Sequence, residues 1–230
     1  MVSVVIAAYN EAATVAECVR SVIGHPQVNE VVVVDDGSSD ATSARAQDAG
    51  ATVVRLSGNR GKAAALDAGV AAAQGSILLF LDADVTGLTP AAVSRILHPV
   101  LAGEVDLHVG IRARKTLWLN RLLHVFPIIG GERALTRQLW QMVPERHKRG
   151  FRIEIALNHT AKRRGNGMDF ALIEGLTHRT KERKLGLWRG VRLRMRMIGQ
   201  LVAVTWSLYV VEGLRERIGS GRRGAVRDRG

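Results

Sequence analysis

The chain has 230 residues, 47% hydrophobic, 23% charged and 4% aromatic, a balance that fits one substantial globular domain and excludes a disordered chain. Its single cysteine, Cys18, excludes an internal disulfide and Cys/His zinc frameworks. The formal charge of +12 is unevenly divided: residues 1–110 hold 6 basic against 12 acidic side chains (−6), and residues 111–230 hold 27 against 9 (+18).

The two halves are therefore expected to face different partners. The acidic half suggests metal-assisted phosphate binding, and the basic half an anionic surface, an anionic acceptor or nucleic acid. The apolar run 2–8 carries no basic leader and no cleavage site, so it reads as a first strand rather than a signal peptide, and a cytoplasmic location is expected. Further β-branched or aliphatic runs follow at 30–34, 52–56, 77–81 and 106–111, alternating with alanine-rich helical stretches. This alternation predicts an α/β fold with a buried parallel sheet and crossover helices. Thr89 followed by Pro90 predicts a capped helix start, and Gly103 its end.

Residues 112–164 mix apolar and basic side chains without a clear strand and read as two or three helices over the sheet. A further strand is expected at 167–173, with helix again from about 181. The apolar stretch 197–211, about 15 residues, falls short of the roughly 20 needed to span a bilayer. Arg189, Arg192, Arg194 and Arg196 precede it, Arg215 and Arg217 follow it, and Trp206 and Tyr209 lie within it. Two readings stay open: an interfacial helix on a membrane, or a helix packed on its own domain or on a second copy in a homodimer. The Gly- and Arg-rich stretch 219–230 reads as a disordered tail.

The candidate chemistry sits where strands end. Asp82-Ala83-Asp84 follows the run 77–81, and two carboxylates one residue apart in a loop can both turn to one hard cation. Such a cation would offset the charge of a departing diphosphate. Asp35-Asp36-Gly37-Ser38-Ser39-Asp40 ends another strand, where open α/β sheets bind ligands; the same residues also suit a helix-capping turn with Ser38 or Ser39 as cap. In Asn59-Arg60-Gly61-Lys62, the backbone amides and Lys62 are placed to approach phosphate, although the spacing is not that of an NTPase phosphate loop.

These segments, with Ala7-Ala8-Tyr9-Asn10-Glu11 and the continuation Ala63-Ala64-Ala65-Leu66, resemble glycosyltransferase family 2 in order and spacing over the first half of the chain. The resemblance implies the GT-A fold, a Rossmann-like, mostly parallel sheet flanked by helices, here followed by a basic amphipathic helix. It implies a nucleotide-sugar half over 1–113, an acceptor half of the same domain over 114–189, and the basic helix and tail over 190–230. Ala8, Tyr9 and Glu11 would border the nucleotide, Asp36 would contact its base, and Lys62 would lie near base or phosphates. Asp84 would lead metal binding with Asp82, and Ala83 would complete the donor wall.

In the second half, Gly130-Gly131-Glu132-Arg133-Ala134-Leu135-Thr136-Arg137 resembles the family's acceptor loop opening a helix, which makes Gly131, Glu132 and Arg133 acceptor-binding candidates. Gly150-Phe151-Arg152-Ile153-Glu154 resembles the segment that delivers an acidic residue to the acceptor, so Glu154 is the candidate base of an inverting transfer. The family's usual Glu-Asp pair is absent, since Ile155 follows. His178 resembles a further metal ligand, and imidazole would bias the cofactor toward Mn2+ over Mg2+.

The implied function is hexose transfer from a UDP- or GDP-sugar to a lipid-linked or membrane-bound acceptor, by an enzyme peripheral to the inner face of the cell membrane in cell-envelope biosynthesis. One alternative is a soluble transferase acting on a small anionic acceptor such as phosphoglycerate. The other is a noncatalytic nucleic-acid or membrane-binding module.

Overall fold

The computed structural model of the protein describes residues 1–112, 132–148, 150 and 152–178, all within the unit Met1–Arg183. The basic helix and tail expected over 190–230, the acceptor candidate Gly131 and the half-domain boundaries at 113 and 189 lie outside the described residues. Among the described residues, no helix is long and apolar enough to cross a membrane.

Strands β1 (Val2–Ala8), β2 (Glu30–Asp35) and β4 (Ile77–Asp82) are apolar runs buried along most of their length, as central parallel strands must be. Between them come α1 (Val15–Val22), α2 (Thr42–Asp48), β3 (Thr52–Arg55) and α3 (Lys62–Ala72). The short β5 (Val85–Thr86) leads to α4 (Pro90–Leu101), where Thr89 Oγ1 accepts from the Ala92 amide and Pro90 opens the first turn, as the dipeptide predicts. Then follow β6 (Leu107–Arg112), β7 (Glu132–Thr136), α5 (Arg137–Met142), a 3-10 turn (Glu145–His147), α6 (Arg152–Arg164), β8 (Met168–Ile173) and β9 (Thr177–His178).

The main sheet has seven strands in the order β3-β2-β1-β4-β7-β6-β8, and β5 pairs with β9 in a separate two-stranded ribbon. Six strands of the main sheet run parallel, and β7 is inserted antiparallel between β4 and β6. The sheet is thus mixed rather than purely parallel, and the stretch 112–164 contains a strand where helices alone were expected. The reason lies in its sequence: β7 opens with Glu132 and Arg133, both buried, so it shows neither an apolar run nor alternation. Only Thr136, whose Oγ1 accepts from the Leu139 amide, marks the start of α5.

The register places the chemistry. Ala8 lies beside Asp35 across the β1–β2 pair, and Ala7 lies beside Asp82 across β1–β4, so three carboxyl-end loops open at one edge. Ile6, Leu79, Leu81, Val93, Ile96 and Leu97 pack fully buried beneath that edge, each side chain contributing roughly 1.5–3 kcal/mol by leaving water. On the other face, Trp140 of α5 meets Phe80 edge-on with centroids 5.2 Å apart.

Candidate donor and metal site

The first two motifs are knitted together by their own polar atoms. Asn10, the only described non-glycine residue at positive φ (+55°), donates its amide to Ser38 Oγ at 2.9 Å, and its Oδ1 accepts from the Ser39 amide at 3.0 Å. The Glu11 amide donates to Thr42 Oγ1 at 2.9 Å, and the Ala12 amide to Asp40 Oδ2 at 3.2 Å. Ser38 and Ser39 therefore do not cap α2; Asp40 takes the Thr42 amide instead, and the serines hold the β1–α1 loop. Fully buried Asp35 accepts from the Ser38 amide at 2.8 Å and from Ser43 Oγ, with Arg55 at 3.9 Å. Burial raises its pKa, but the hydrogen bonds from Ser38 and Ser43, helped by Arg55, more than offset that and hold it below the ordinary carboxylate range.

Asp36, 3% exposed, accepts from the amides of Arg60 at 2.7 Å and Gly61 at 2.8 Å, one on each oxygen. Two of the amides expected to approach phosphate are thus spent on fixing the 59–61 loop to β2. Gly37, at φ +74°, is the hinge of this fit: a Cβ there would stand 2.6 Å from the Gly58 backbone.

Lys62 opens α3 and spans the site. Its Nζ lies 2.7 Å from Asp82 Oδ1 and 3.2 Å from Glu154 Oε1. Burial pulls the ammonium down, yet Asp82 and then Glu154 outweigh it and hold Lys62 above the usual lysine range. Glu154 is 5% exposed on α6, not a surface-helix glutamate. Behind it, Arg133 Nη1 donates to Asn158 Oδ1 at 2.8 Å, and Asn158 lies one helical turn beyond Glu154. Glu154 and Arg133 line a void of about 10 Å³ with Lys62 and Asp82, and Glu132 is buried as well. The structure therefore sets Glu132 and Arg133 behind the cleft wall rather than on an open face. The Arg133–Asn158 pairing is not legible in the sequence, and Asn158 lines neither that void nor the cleft.

All eight donor candidates, Ala8, Tyr9, Glu11, Asp36, Lys62, Asp82, Ala83 and Asp84, line one cleft of about 550 Å³. Tyr9, 44% exposed, stands at its mouth. Asp84 immediately precedes β5, and the ribbon sets Val85 opposite His178, which brings the third expected metal ligand beside the Asp84 loop in backbone register. Among the described side chains, no group of three or more His, Cys, Asp or Glu is gathered as a metal cluster. The donor chemistry nonetheless fits a hard cation: Asp82 and Asp84 offer carboxylate oxygens two residues apart on the cleft wall. Buried Cys18 nearby has its thiol pushed up first by burial and then by Glu132, Asp82 and Asp84.

Residues 3–161 match the model of Glycosyl transferase family 2. The chain belongs to this family. Within it, the chain is 44% identical over 88 residues to the succinoglycan biosynthesis protein ExoU of Rhizobium meliloti (strain 1021), covering 36% of this chain and 26% of that protein. It is 34% identical over 139 residues to the glucosyl-3-phosphoglycerate synthase of Mycobacterium tuberculosis (strain CDC 1551 / Oshkosh), covering 56% of this chain and 41% of that one. The chain thus spans well under half the length of these curated relatives. A crystal structure of the Mycobacterium tuberculosis glucosyl-3-phosphoglycerate synthase, in complex with Mn2+, UDP-glucose and phosphoglyceric acid, superposes with a TM-score of 0.72 at 27% identity. That match covers 90% of this chain and 79% of the other, so the mixed sheet of this family 2 member and its flanking helices are those of a known glycosyltransferase architecture.

Proposed function

We propose that the protein is a metal-dependent glycosyltransferase that moves a hexose from a UDP-sugar to an anionic acceptor. One observation carries this reading: Asp36 after β2, Asp82 and Asp84 at the end of β4, and Lys62 at the start of α3 line a single cleft wide enough for a nucleotide sugar. Tyr9 at the mouth and Asp36 on the wall suit a nucleoside, and Asp84 leads a cation site with Asp82 and His178. A divalent ion there, Mn2+ or Mg2+, would supply charge to offset the diphosphate of the leaving group.

The chain's own residues do the rest. Lys62 holds Asp82 and Glu154 within reach of each other across the cleft floor. Glu154 is the acceptor-side carboxylate, and taking a proton from an acceptor hydroxyl requires Lys62 to turn toward Asp82 alone. With a phosphate or carboxylate acceptor already ionised, Glu154 positions rather than deprotonates.

Two acceptor classes rest on different observations. A small phosphorylated acid, met in solution, is supported by the structural neighbour's bound phosphoglyceric acid. A membrane-bound acceptor at the inner face of the cell membrane is supported by the likeness to a polysaccharide-biosynthesis protein and by the +18 charge of residues 111–230. The test is a transfer assay with UDP- and GDP-hexoses and Mn2+, offering 3-phosphoglycerate in one arm and polyprenyl phosphate in anionic vesicles in the other. Product in the first arm selects the small acceptor and product in the second the lipid. No transfer and no sugar-nucleotide turnover in any arm overturns the proposal.

A further inference from the structure

Resting on the cation site just proposed, the two-stranded β5–β9 ribbon has a construction that the donor motifs do not account for. It is only two residues long on each side, with Val85 opposite His178 and Thr86 opposite Thr177. A ladder that short does not hold itself together. Its flanks are anchored instead: Val85 and Leu88 on one side and Ile173 and Leu176 on the other are buried in the core beneath the sheet edge. Thr86 Oγ1 lies 2.7 Å from Thr177 Oγ1 and 3.3 Å from the Thr177 carbonyl.

Immediately beyond the ladder, two glycines meet. Gly87 has φ +75° and Gly175 φ +76°, a left-handed conformation that other residues adopt only under strain. A Cβ built on Gly87 would stand 2.1 Å from the Gly175 carbonyl oxygen. The two connections therefore close on each other through bare backbone, and no larger residue fits at Gly87 without prising them apart. Asp84, which immediately precedes β5, and His178, which ends β9 opposite Val85, each lie three residues from a glycine of the pair, so this closure fixes their backbone separation.

We propose that the Gly87–Gly175 contact is a backbone latch that sets the spacing of Asp84 and His178, and so positions the cation site without touching the cation. Neither glycine contributes a ligand atom; both act through the ribbon. The latch predicts that opening it weakens the metal while leaving the nucleoside wall, built on β1 and β2, intact.

The experiment uses the full chain and two binding measurements: UDP affinity by calorimetry in chelator, and Mn2+ uptake in the presence of UDP, read from the loss of the free-ion signal in electron paramagnetic resonance. Gly87→Ala is expected to weaken Mn2+ uptake at least tenfold while UDP affinity in chelator stays within twofold of wild type. Gly175→Ala, whose Cβ meets nothing within 4 Å but whose φ is equally strained, is expected to show the same selectivity at smaller size. It also serves should Gly87→Ala fail to fold. Gly103→Ala, at φ +72° after α4 and away from the ribbon, carries comparable strain and should leave both affinities unchanged.

A folded Gly87→Ala or Gly175→Ala chain that takes up Mn2+ as well as wild type overturns the latch alone, as does one that loses UDP and Mn2+ in equal measure. A wild-type chain that takes up no Mn2+ with UDP overturns the proposed cation site and the latch with it.

Discussion

The strand ends at β2 and at β4 both present paired aspartates, but they satisfy them in opposite ways. Asp35 and Asp36 are taken up by backbone amides and serine hydroxyls of neighbouring loops, within a few residues or through the adjoining 59–61 turn. Asp82 is met by a charge from another element, Lys62, which also reaches Glu154 across 92 residues of sequence. Asp84 faces the cleft. The first pair ties loops together to shape the cleft wall, and the second leaves Asp84 on the cleft where the proposed cation would sit. The comparison teaches that two similar motifs at one sheet edge can be satisfied differently, one by local amides and hydroxyls and the other by a distant charge.

The sharpest way to break that contrast is at Asp84. Asp84→Ala should lower kcat/KM by about 100-fold or more, several kcal/mol of lost charge stabilisation, while stability in urea stays within about 1 kcal/mol of wild type. A loss of stability matching the loss of activity would erase the distinction. On the scaffold side, Gly37→Ala should reverse the pattern. Its Cβ would meet the Gly58 backbone at 2.6 Å, and the expected cost is about 2–3 kcal/mol in urea unfolding, with turnover per folded molecule reduced far less.

Lys62 sits on the boundary. Lys62→Met removes the ammonium that Asp82 and Glu154 share, leaving Arg133 as the nearby cation, and should destabilise by about 1–3 kcal/mol. That range lies between an exposed and a buried pair because Lys62 and Asp82 are each about one-third exposed and Glu154 nearly buried. Thermal unfolding with and without nucleotide measures it, and a neutral effect would mean the pair carries no net stabilisation.

The smallest effect is in pH. Asp35 has its folded pKa lowered, so between that value and the unfolded one the unfolded chain binds the extra proton, and stability rises with pH. Its contribution is fully present above the ordinary carboxylate range near 4 and is lost as pH falls through the folded value. Asp35→Asn should flatten that acid-side slope in urea titrations from pH 6 to pH 3, and an unchanged slope would remove Asp35 from the scaffold.

The same contrast explains what could be read in advance. Strands β1, β2, β3, β4, β6 and β8 carry apolar runs bounded by turn residues, and all six begin within one residue of their sequence-based start and end within one of their sequence-based end. The donor residues stood in short contiguous motifs, because a loop at a strand end is a local structure. Strand β7 was hidden because its opening charges, Glu132 and Arg133, are buried by tertiary neighbours rather than by pattern. The pairing of Lys62 with Glu154, and of Arg133 with Asn158, depends on how α6 packs behind the cleft, and no spacing rule encodes that. The serines at 38 and 39 fit a helix cap equally well by sequence, and only the approach of Asn10 from another strand decides their partners.

The account turns on a cation seated at Asp84 under the diphosphate. The most direct measurement is the anomalous difference map of crystals grown with Mn2+ and UDP. It should show one manganese peak within bonding distance of an Asp84 oxygen, with the uracil lodged between Tyr9 and Asp36. A nucleotide bound elsewhere, or a manganese peak remote from Asp84, would contradict it.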